Sequence, residues 1–481
     1  MYTPNRDSGF DHYTQKRIAH WDNVARNFKP KVWIGKYYHR RLKEIYQYLV
    51  RPGLRVLEIG CGSGDLLAAL DPSIGVGVDF SSEMIISARK RYQHLYFLQA
   101  DACQLALDER FDVIILSDLV NDLWDVQRVF QQIKNLSSPH TRIILNFYSR
   151  VWEAPLKLAE RLGLSTRTLE QNWLTADDII NLMNLCDFEV IRHWEEILWP
   201  LPGSIISSFF NRILVKLWPI RFLALSNFVV ARPFQYQSDI AEKPLVSVII
   251  PARNEAGNIA ELFDRIPEMG QGTELIFVEG HSNDDTYNVI NDNIASNPDR
   301  VCSLYRQTGV GKGDAVRLGF SHANGEVLMI LDADISVPPE DLTRFLDALC
   351  SGKGEFINGV RLVYPLETHA MRYFNLLGNK FFSLIFSWLI GQHIKDTLCG
   401  TKVLWKRDYE TIAANRAYFG DFDPFGDFDL IFGATKLNLK IIDMPIRYRE
   451  RTYGSTNIQR WKHGWLLLKM MFFAAGRIKF V

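Results

Sequence analysis

Asp332-Ala333-Asp334 sets two carboxylates one residue apart, directly after the apolar run Val327–Leu331. In an extended segment such a pair points the same way and holds a hard divalent cation, Mg²⁺ or Mn²⁺, which neutralises a diphosphate leaving group. An isolated Asp-x-Asp is more often a cap or a solvated turn. Its place after a buried-strand pattern and before Val337-Pro-Pro-Glu340 favours the metal. Upstream, Gly309-Val-Gly311-Lys312-Gly313-Asp-Ala-Val-Arg317 is a glycine-rich turn with two cations, suited to phosphates, without the spacing or trailing Ser/Thr of a P-loop. A second constellation lies far upstream. Val56-Leu-Glu58-Ile-Gly60-Cys-Gly62-Ser-Gly64-Asp65 runs from an apolar strand into a glycine turn, where the backbone bends sharply and approaches a ligand closely. Asp79, nineteen residues after Gly60, is placed to accept from both hydroxyls of a ribose. Asp101 could reach an adenine amino group, and Ser117-Asp118 follows the next strand.

These groups need strand ends to carry them. Strand-like runs fall at 55–59, 75–78, 96–99, 113–116, 142–146, 189–193 and 222–231, mostly with helical patterns between. This is the βαβ rhythm of a doubly wound parallel sheet. A polar stretch, 233–243, reads as a linker. A second series opens with 246–250 and continues through 274–278 and 327–331. In it, Asn254 and Glu255 follow the first strand and its Pro251, Glu279 and Ser282 the second, and Asp332 and Asp334 the third. Carboxylates at three successive strand ends mark the mouth of an open α/β sheet. The expected division is therefore 1–232, a linker, and 244–481.

A chain of 481 residues exceeds a single core of ordinary size. Its 55 basic and 55 acidic residues leave no global basic field, so nucleic acid is not the expected partner. Six scattered cysteines form no CxxC pair, which reads as reduced thiols in a cytoplasmic protein. No run reaches the roughly 18–20 apolar residues of a spanning helix. Two stretches come near it, Phe381–Ile390 and Trp465–Ala475, the latter flanked by Lys462, Arg477 and Lys479. Each reads as a buried core helix or as a helix on a membrane surface.

Residues 21–232 resemble class I S-adenosylmethionine-dependent methyltransferases, on the Glu-x-Gly-x-Gly-x-Gly form of 58–64 and the acids at the following strand ends. The resemblance implies a Rossmann-like domain. In it Glu58, Gly60, Gly62 and Gly64 hold the methionine end of the cofactor, Asp79 the ribose and Asp101 the base, with Ser117 at the cleft. Asp118, Asn121 and Asp122 are candidate substrate contacts, His20 and Trp21 lie on a candidate lid, and His193 is expected on a core strand. No Asn-Pro-Pro-Tyr/Phe motif of amino-methylating enzymes is present.

Residues 244–458 resemble family 2 glycosyltransferases of the GT-A fold, and within them the polyprenyl-phosphate sugar synthases. The matching pieces are IIPARNE, VEGHSNDDT, GKGDAVRLG, LDADISVPP, KDTLCGTKV, FGDFDL and MPIRYRERTYGSTN. The resemblance implies a nucleotide-sugar site drawn from Pro251, Asn254, Glu255, Glu279, Ser282 and Lys312, with Asp332 and Asp334 on the metal and Arg451 on the diphosphate. The chain departs from the family's usual pattern at Glu279-Gly280, where two aspartates are common, and at Asn457, often a lysine. An inverting transfer uses a carboxylate base. Asp427 is the candidate, Asp429 and Asp396 the alternatives, and a phosphate acceptor needs no base at all.

The tandem is similar to bacterial bifunctional methyltransferase/glycosyltransferase proteins. It implies methyl transfer from S-adenosylmethionine and metal-dependent sugar transfer from a nucleotide-sugar to a lipid-linked or saccharide acceptor, at the inner face of the cell membrane. Two alternatives are a soluble acceptor, and one half serving as a silent nucleotide-binding module.

Overall fold

The computed structural model describes residues 8–27, 33–162, 169–234, 243–361, 363, 373–418, 426–449, 453 and 460–481. The chain divides into two compact units: Met1–Phe234 together with Phe480–Val481, and Gln235–Lys479. Residues 235–242, most of the expected linker, lie outside the described residues.

The first unit is built on β1 (Arg55–Ile59), β2 (Ile74–Asp79), β3 (Tyr96–Gln99), β4 (Phe111–Ser117), β5 (Ser137–Tyr148), β6 (Phe188–Glu196) and β7 (Ser226–Pro233). They form one sheet in the order β3-β2-β1-β4-β5-β7-β6. Neighbours from β3 through β5 are parallel, while β7 runs antiparallel to both β5 and β6. β1 and β4 are nearly continuous Val/Ile/Leu runs because both faces of the sheet are covered. One face packs against helices Val126–Asn135 and Ala176–Leu185, the other against Trp33–Leu49 and Ser82–Arg91. The strand order reverses between β1 and β4, so a crevice opens outside their carboxyl ends. The run 222–231 is not one strand: Ile220–Leu223 is a 3₁₀ turn and pairing begins only at Ser226. A short apolar run does not by itself distinguish buried strand from exposed turn. His193 lies on β6, but exposed, not in the core.

The second unit contains β8 (Leu245–Ala252), β9 (Gly272–Glu279), β10 (Val301–Arg306), β11 (Val327–Ile330), β12 (Phe356–Val360), β13 (Lys402–Trp405) and β14 (Ile441–Pro445). Their order is β10-β9-β8-β11-β13-β12-β14, with β13 antiparallel to β11 and β12. The apolar stretches read as core or membrane helices both contribute to the core on one face. Phe386, Leu389 and Ile390 are buried on helix Tyr373–Ile390, as are Leu467, Met470 and Ala474 on helix Arg460–Ala474. Their other faces expose Phe381, Leu384, Trp465 and Phe472. Among the described residues no helix is long and apolar enough to cross a membrane.

Candidate active sites

The turn after β1 needs glycine. Gly60, Gly62 and Gly64 have φ of 76°, 49° and 76°, the left-handed region that side chains avoid. A Cβ at Gly60 would stand 2.8 Å from Leu119 Cδ1, and one at Gly64 2.7 Å from Phe97 Cζ. A Cβ at Gly62 would meet nothing within 4 Å. Asp79, 9% exposed, ties this turn down: Gly62 N–H donates to Oδ2 and Ser81 N–H to Oδ1, both at 2.9 Å. An ionised carboxylate has about four acceptor sites, so these bonds leave capacity for a ligand's hydroxyls. Burial pushes the Asp79 carboxyl up to about 6.

A cleft of about 470 Å³, open solvent included, lies at this rim of the sheet. Gly60, Asp79 and Asp101 border it; Glu58, Gly62, Gly64 and Ser117 do not. Asp101 Oδ1 accepts from Cys103 N–H at 2.8 Å. Ser117 instead donates to Asn146 Oδ1 at 3.0 Å, in a network that also joins Tyr38, Tyr46 and Asp118. Asn121 is buried, donating to Asn172 O and accepting from Tyr148 N–H, which corrects its reading as a substrate contact. The other wall of the cleft comes from helix Ser8–Arg26 through Phe10, Tyr13, Thr14 and Arg17. Arg17 Nε (2.7 Å) and Trp21 Nε1 (3.0 Å) both donate to Asp122, which pins the helix there. His20 does not border the cleft, although it shares the helix. Sequence reading missed these wall residues, yet their spacing of three, four and seven places them on one helical face.

Glu58 serves the turn and not the cleft. It is 3% exposed and accepts from Leu67 N–H, in the first turn of helix Asp65–Ala69, at 3.0 Å. Burial pushes its carboxyl from an ordinary 4.5 up to about 8. The folded unit therefore keeps a proton that the unfolded chain gives up, and stability is lost as pH rises from about 4.5 to about 8. Glu58→Gln keeps an oxygen for Leu67 N–H and removes the titration. The first unit's unfolding midpoint in the variant is expected to match wild type near pH 5. At pH 8.5 it should exceed wild type by several degrees, on the order of 2 kcal/mol. Scanning calorimetry across that range checks it; parallel pH profiles would sink the assignment.

In the second unit the turns after β8, β9 and β11 each hold a non-glycine residue at positive φ: Asn254 (60°), His281 (57°) and Ile335 (52°). For β-branched Ile335 that conformation is strained, and strain of this kind collects at functional sites. The first two turns are knitted together. Asn254 N–H donates to Ser282 Oγ (3.0 Å), Asn283 N–H to Asn254 Oδ1 (2.7 Å) and Glu255 N–H to Thr286 Oγ1 (2.9 Å). Glu255 also accepts from Asn258, and Glu279 accepts from Ser282 N–H at 2.5 Å. Pro251 lies within β8, opposite Val278.

Asp332 and Asp334 do not share one extended segment. β11 ends at Ile330, Asp332 lies in irregular backbone beyond it and Asp334 in the following turn. Asp332 pairs with Lys312 Nζ at 2.5 Å, whereas Asp334, 5% exposed, accepts from Ser336 N–H (3.0 Å) and Oγ (2.6 Å). Lys312 opens helix Lys312–His322. Partial burial opposes its charge, but Asp332 first and Asp427 second hold the ammonium protonated far above its ordinary value. Gly400 covers the pair; a Cβ there would stand 2.1 Å from Lys312 Nζ and 2.2 Å from Asp332 Oδ2. Helix Asp427–Lys436 begins at Gly426, where a Cβ would come 2.6 Å from Gly313 Cα. Two glycines thus bring the starts of two helices together, and with them Lys312 and Asp427.

The three candidate bases differ sharply. Asp427 is buried, 3.7 Å from Lys402 Nζ, and among the described residues its Oδ1 has no hydrogen-bond partner. Burial pushes its carboxyl up against the pull of Lys402 and Lys312. Asp429 is paired with Arg416 at 2.8 Å. Asp396 is saturated: Arg361 Nε (2.7 Å), Arg361 NH2 (2.9 Å), Asn379 Nδ2 (2.9 Å) and the N–H groups of Arg361 and Leu398 all donate to it. Burial works against its charge, yet Arg361 outweighs it and holds the carboxyl well below the usual range. The geometry therefore disfavours Asp396 as a base. Arg451 and Asn457 lie outside the described residues. Among the described residues, no three His, Cys, Asp or Glu side chains converge as a ready cation cage.

A family profile described as "Methyltransferase domain" matches residues 51–183, and one described as "Glycosyl transferase family 2" matches 247–411. Among curated relatives, dolichol-phosphate mannosyltransferase of Pyrococcus furiosus is 28% identical over 218 residues, 44% of this chain and 59% of that protein. Polyprenol monophosphomannose synthase of Mycolicibacterium smegmatis is 27% identical, over 43% of this chain and 78% of the relative. Undecaprenyl-phosphate 4-deoxy-4-formamido-L-arabinose transferase of Edwardsiella ictaluri is 30% identical over 24% of this chain and 37% of its own length. The chain spans 37% and 59% of the first two of these relatives, counted in order of similarity. The solved magnesium protoporphyrin IX methyltransferase from Synechocystis PCC 6803 is 16% identical, with a TM-score of 0.33, over 46% of this chain and 96% of its own. The chain thus joins an N-terminal methyltransferase domain to a C-terminal family 2 glycosyltransferase domain.

Proposed function

We propose that the first unit transfers a methyl group from S-adenosylmethionine. The second would transfer a sugar, with inversion, from a nucleoside-diphosphate sugar to a polyprenyl-phosphate or glycan acceptor. The observation that carries the sugar-transfer reading is the convergence of Lys312, Asp332 and the buried Asp427 at the mouth of the sheet. The names of the relatives supply the acceptor class: each acts on, or makes, a prenyl phosphate carrying a sugar.

Mg²⁺ or Mn²⁺ fits the donor set, since such a cation takes one or two carboxylates and completes its shell with substrate phosphates. Asp332 and Asp334 would hold it, and it would supply charge neutralisation at the leaving diphosphate. The remaining work falls to the chain. Lys312 neutralises a phosphate at a helix start, where unpaired N–H groups add to the attraction. Asp427 takes a proton from a hydroxyl acceptor or, facing a phosphate acceptor, fixes its position through Lys402. In the first unit Asp79 holds the ribose, Asp101 the base, and the glycine turn the methionine end, while the N-terminal helix excludes water. Methyl transfer needs in-line approach more than acid or base.

The test is a panel of nucleotide-sugars offered with undecaprenyl phosphate, with and without chelator, read by mass spectrometry. One donor is expected to be consumed, with a sugar-phosphoprenol formed only when Mg²⁺ or Mn²⁺ is present. Transfer to soluble saccharides alone would remove the lipid acceptor, and full activity in chelator would remove the metal.

A further inference from the structure

β6 and β7 pair at Glu196 and Ser226, a place where a short hairpin turn would suffice. Instead the chain makes an excursion from Ile197 to Leu225. Its ends are tied: Leu225 N–H donates to Ile197 O, and Ser149 N–H to Leu225 O, both at 2.8 Å. β6 runs in the same direction as β5, each being antiparallel to β7, so the excursion leaves from the rim of the sheet that carries the cleft.

Its helical part, Ser204–Lys216, is amphipathic the wrong way round for water. Ser207, Asn211 and Lys216 are buried. Asn211 spends its side chain on Tyr37 OH (2.8 Å) and on both the N–H and the carbonyl of Trp199 (2.7 Å each), and Lys216 pairs with the buried Glu196. The outward face carries Ile205 (82% exposed), Ile206 (58%), Phe209 and Ile213, spaced as one helical stripe. Beyond it Trp218 (75%), Phe222 and Leu223 continue the surface. Contiguous apolar surface of this kind marks a docking face.

Charge identifies the occupant. Residues 197–225 include Arg212, Lys216 and Arg221 and no aspartate or glutamate. Lys216 is neutralised by Glu196, Arg221 lies 5.0 Å over the Phe222 ring and 3.9 Å from Glu195, and Arg212 is exposed. A second copy docking through a two-fold axis would bring this acid-free stretch against itself and offer Arg212 no counter-charge from it. An anionic lipid surface supplies a counter-charge to the exposed Arg212, accepts the isoleucines and phenylalanines below the headgroups, and seats tryptophan at the interface.

We propose that Ile197–Leu225 is the face through which the methyltransferase unit lies on an anionic bilayer. The helical run is too short to cross, so the attachment is interfacial and reversible. This inference stands apart from both proposed reactions and from the exposed apolar residues of the second unit.

The test uses the full chain and vesicles of phosphatidylcholine with and without about one third phosphatidylglycerol. Flotation is expected with the anionic vesicles, and hydrogen exchange over 204–223 should slow when they are added. Ile206→Asp with Trp218→Asp should cut flotation at least about tenfold with the unfolding midpoint kept. Arg212→Gln with Arg221→Gln, which leaves the apolar face intact, should weaken it and abolish its salt dependence. The proposal is overturned if exchange over 204–223 is unchanged by vesicles, or already slow without them in a particle of twice the chain mass.

Discussion

Asp332→Asn is expected to lower sugar transfer by about a hundredfold to a thousandfold, while methyl transfer stays within about twofold of wild type. Asparagine keeps the shape of the side chain and removes its charge. Lys312 then loses the partner 2.5 Å away that holds it, and a cation loses a carboxylate. Both effects strike where negative charge must be neutralised during transfer, so kcat should fall further than KM rises. Gly400→Ala offers an independent route to the same site. Its Cβ would stand 2.1 Å from Lys312 Nζ and 2.2 Å from Asp332 Oδ2, so the pair must shift without loss of either group. A loss of about tenfold or more is expected there. Asp427→Asn separates the roles further. Burial raises its carboxyl above its ordinary value, and a base must be ionised to act, so the wild-type rate should rise with pH as that carboxyl ionises. The asparagine variant should lose that limb of the profile. Parallel assays of both transfers on one preparation check these outcomes. Normal sugar transfer by Asp332→Asn would remove the acidic pair from the mechanism.

Much of this was legible in the chain because buried parallel strands write themselves as uninterrupted Val/Ile/Leu runs with polar residues at their ends. β1, β4, β8, β9 and β11 were readable in that way, β2 (IGVGVD) by its alternating valines, as were the acids that end or follow them. The later strands of the second sheet were not. β12, β13 and β14 are four or five residues long, and β13 reverses direction, so nothing in the local pattern announces their neighbours. Individual roles were harder than positions. Glu58 on β1 and Asp79 at the end of the neighbouring β2 are both acids beside the glycine turn, yet one lies buried beneath the turn and the other borders the cleft. Asp427 was the candidate base and Asp396 an alternative, and their partners among the described residues separate them: five donors for Asp396, an oxygen without a hydrogen bond for Asp427. The end of the excursion between β6 and β7, residues 222–225, was misread as strand for a physical reason. Many of the excursion's apolar residues, Ile205, Ile206, Phe209, Ile213 and Trp218 among them, face outward, and a sequence does not record which side of a helix meets the protein.

Asp79→Ala is expected to weaken S-adenosylmethionine binding by ~1.5–3 kcal/mol, roughly tenfold to 150-fold, because a charged hydrogen-bond acceptor is lost. The carboxylate has two tasks that the variant removes together. It accepts from Gly62 and Ser81 N–H groups, which fixes the glycine turn against β2, and it offers its remaining acceptor sites to a ribose. Asp79→Asn isolates the electrostatic part, since an amide retains one oxygen for the backbone. Protonation should mimic that variant. With the carboxyl pushed up to about 6, wild-type affinity should be full above that pH and decline as pH falls through it. Affinity in Asp79→Asn should be lower at pH 7.5 and nearly flat from pH 7.5 to 5. The sign is opposite for folding: a carboxyl raised by burial favours the folded unit at low pH and costs stability as pH rises through about 6. Weaker binding at pH 5 therefore cannot be blamed on acid unfolding at this group. Titration calorimetry on the full chain at three pH values measures both. An Asp79→Ala variant that stays folded and binds S-adenosylmethionine as wild type does would remove Asp79 from the ribose site and leave it only the turn.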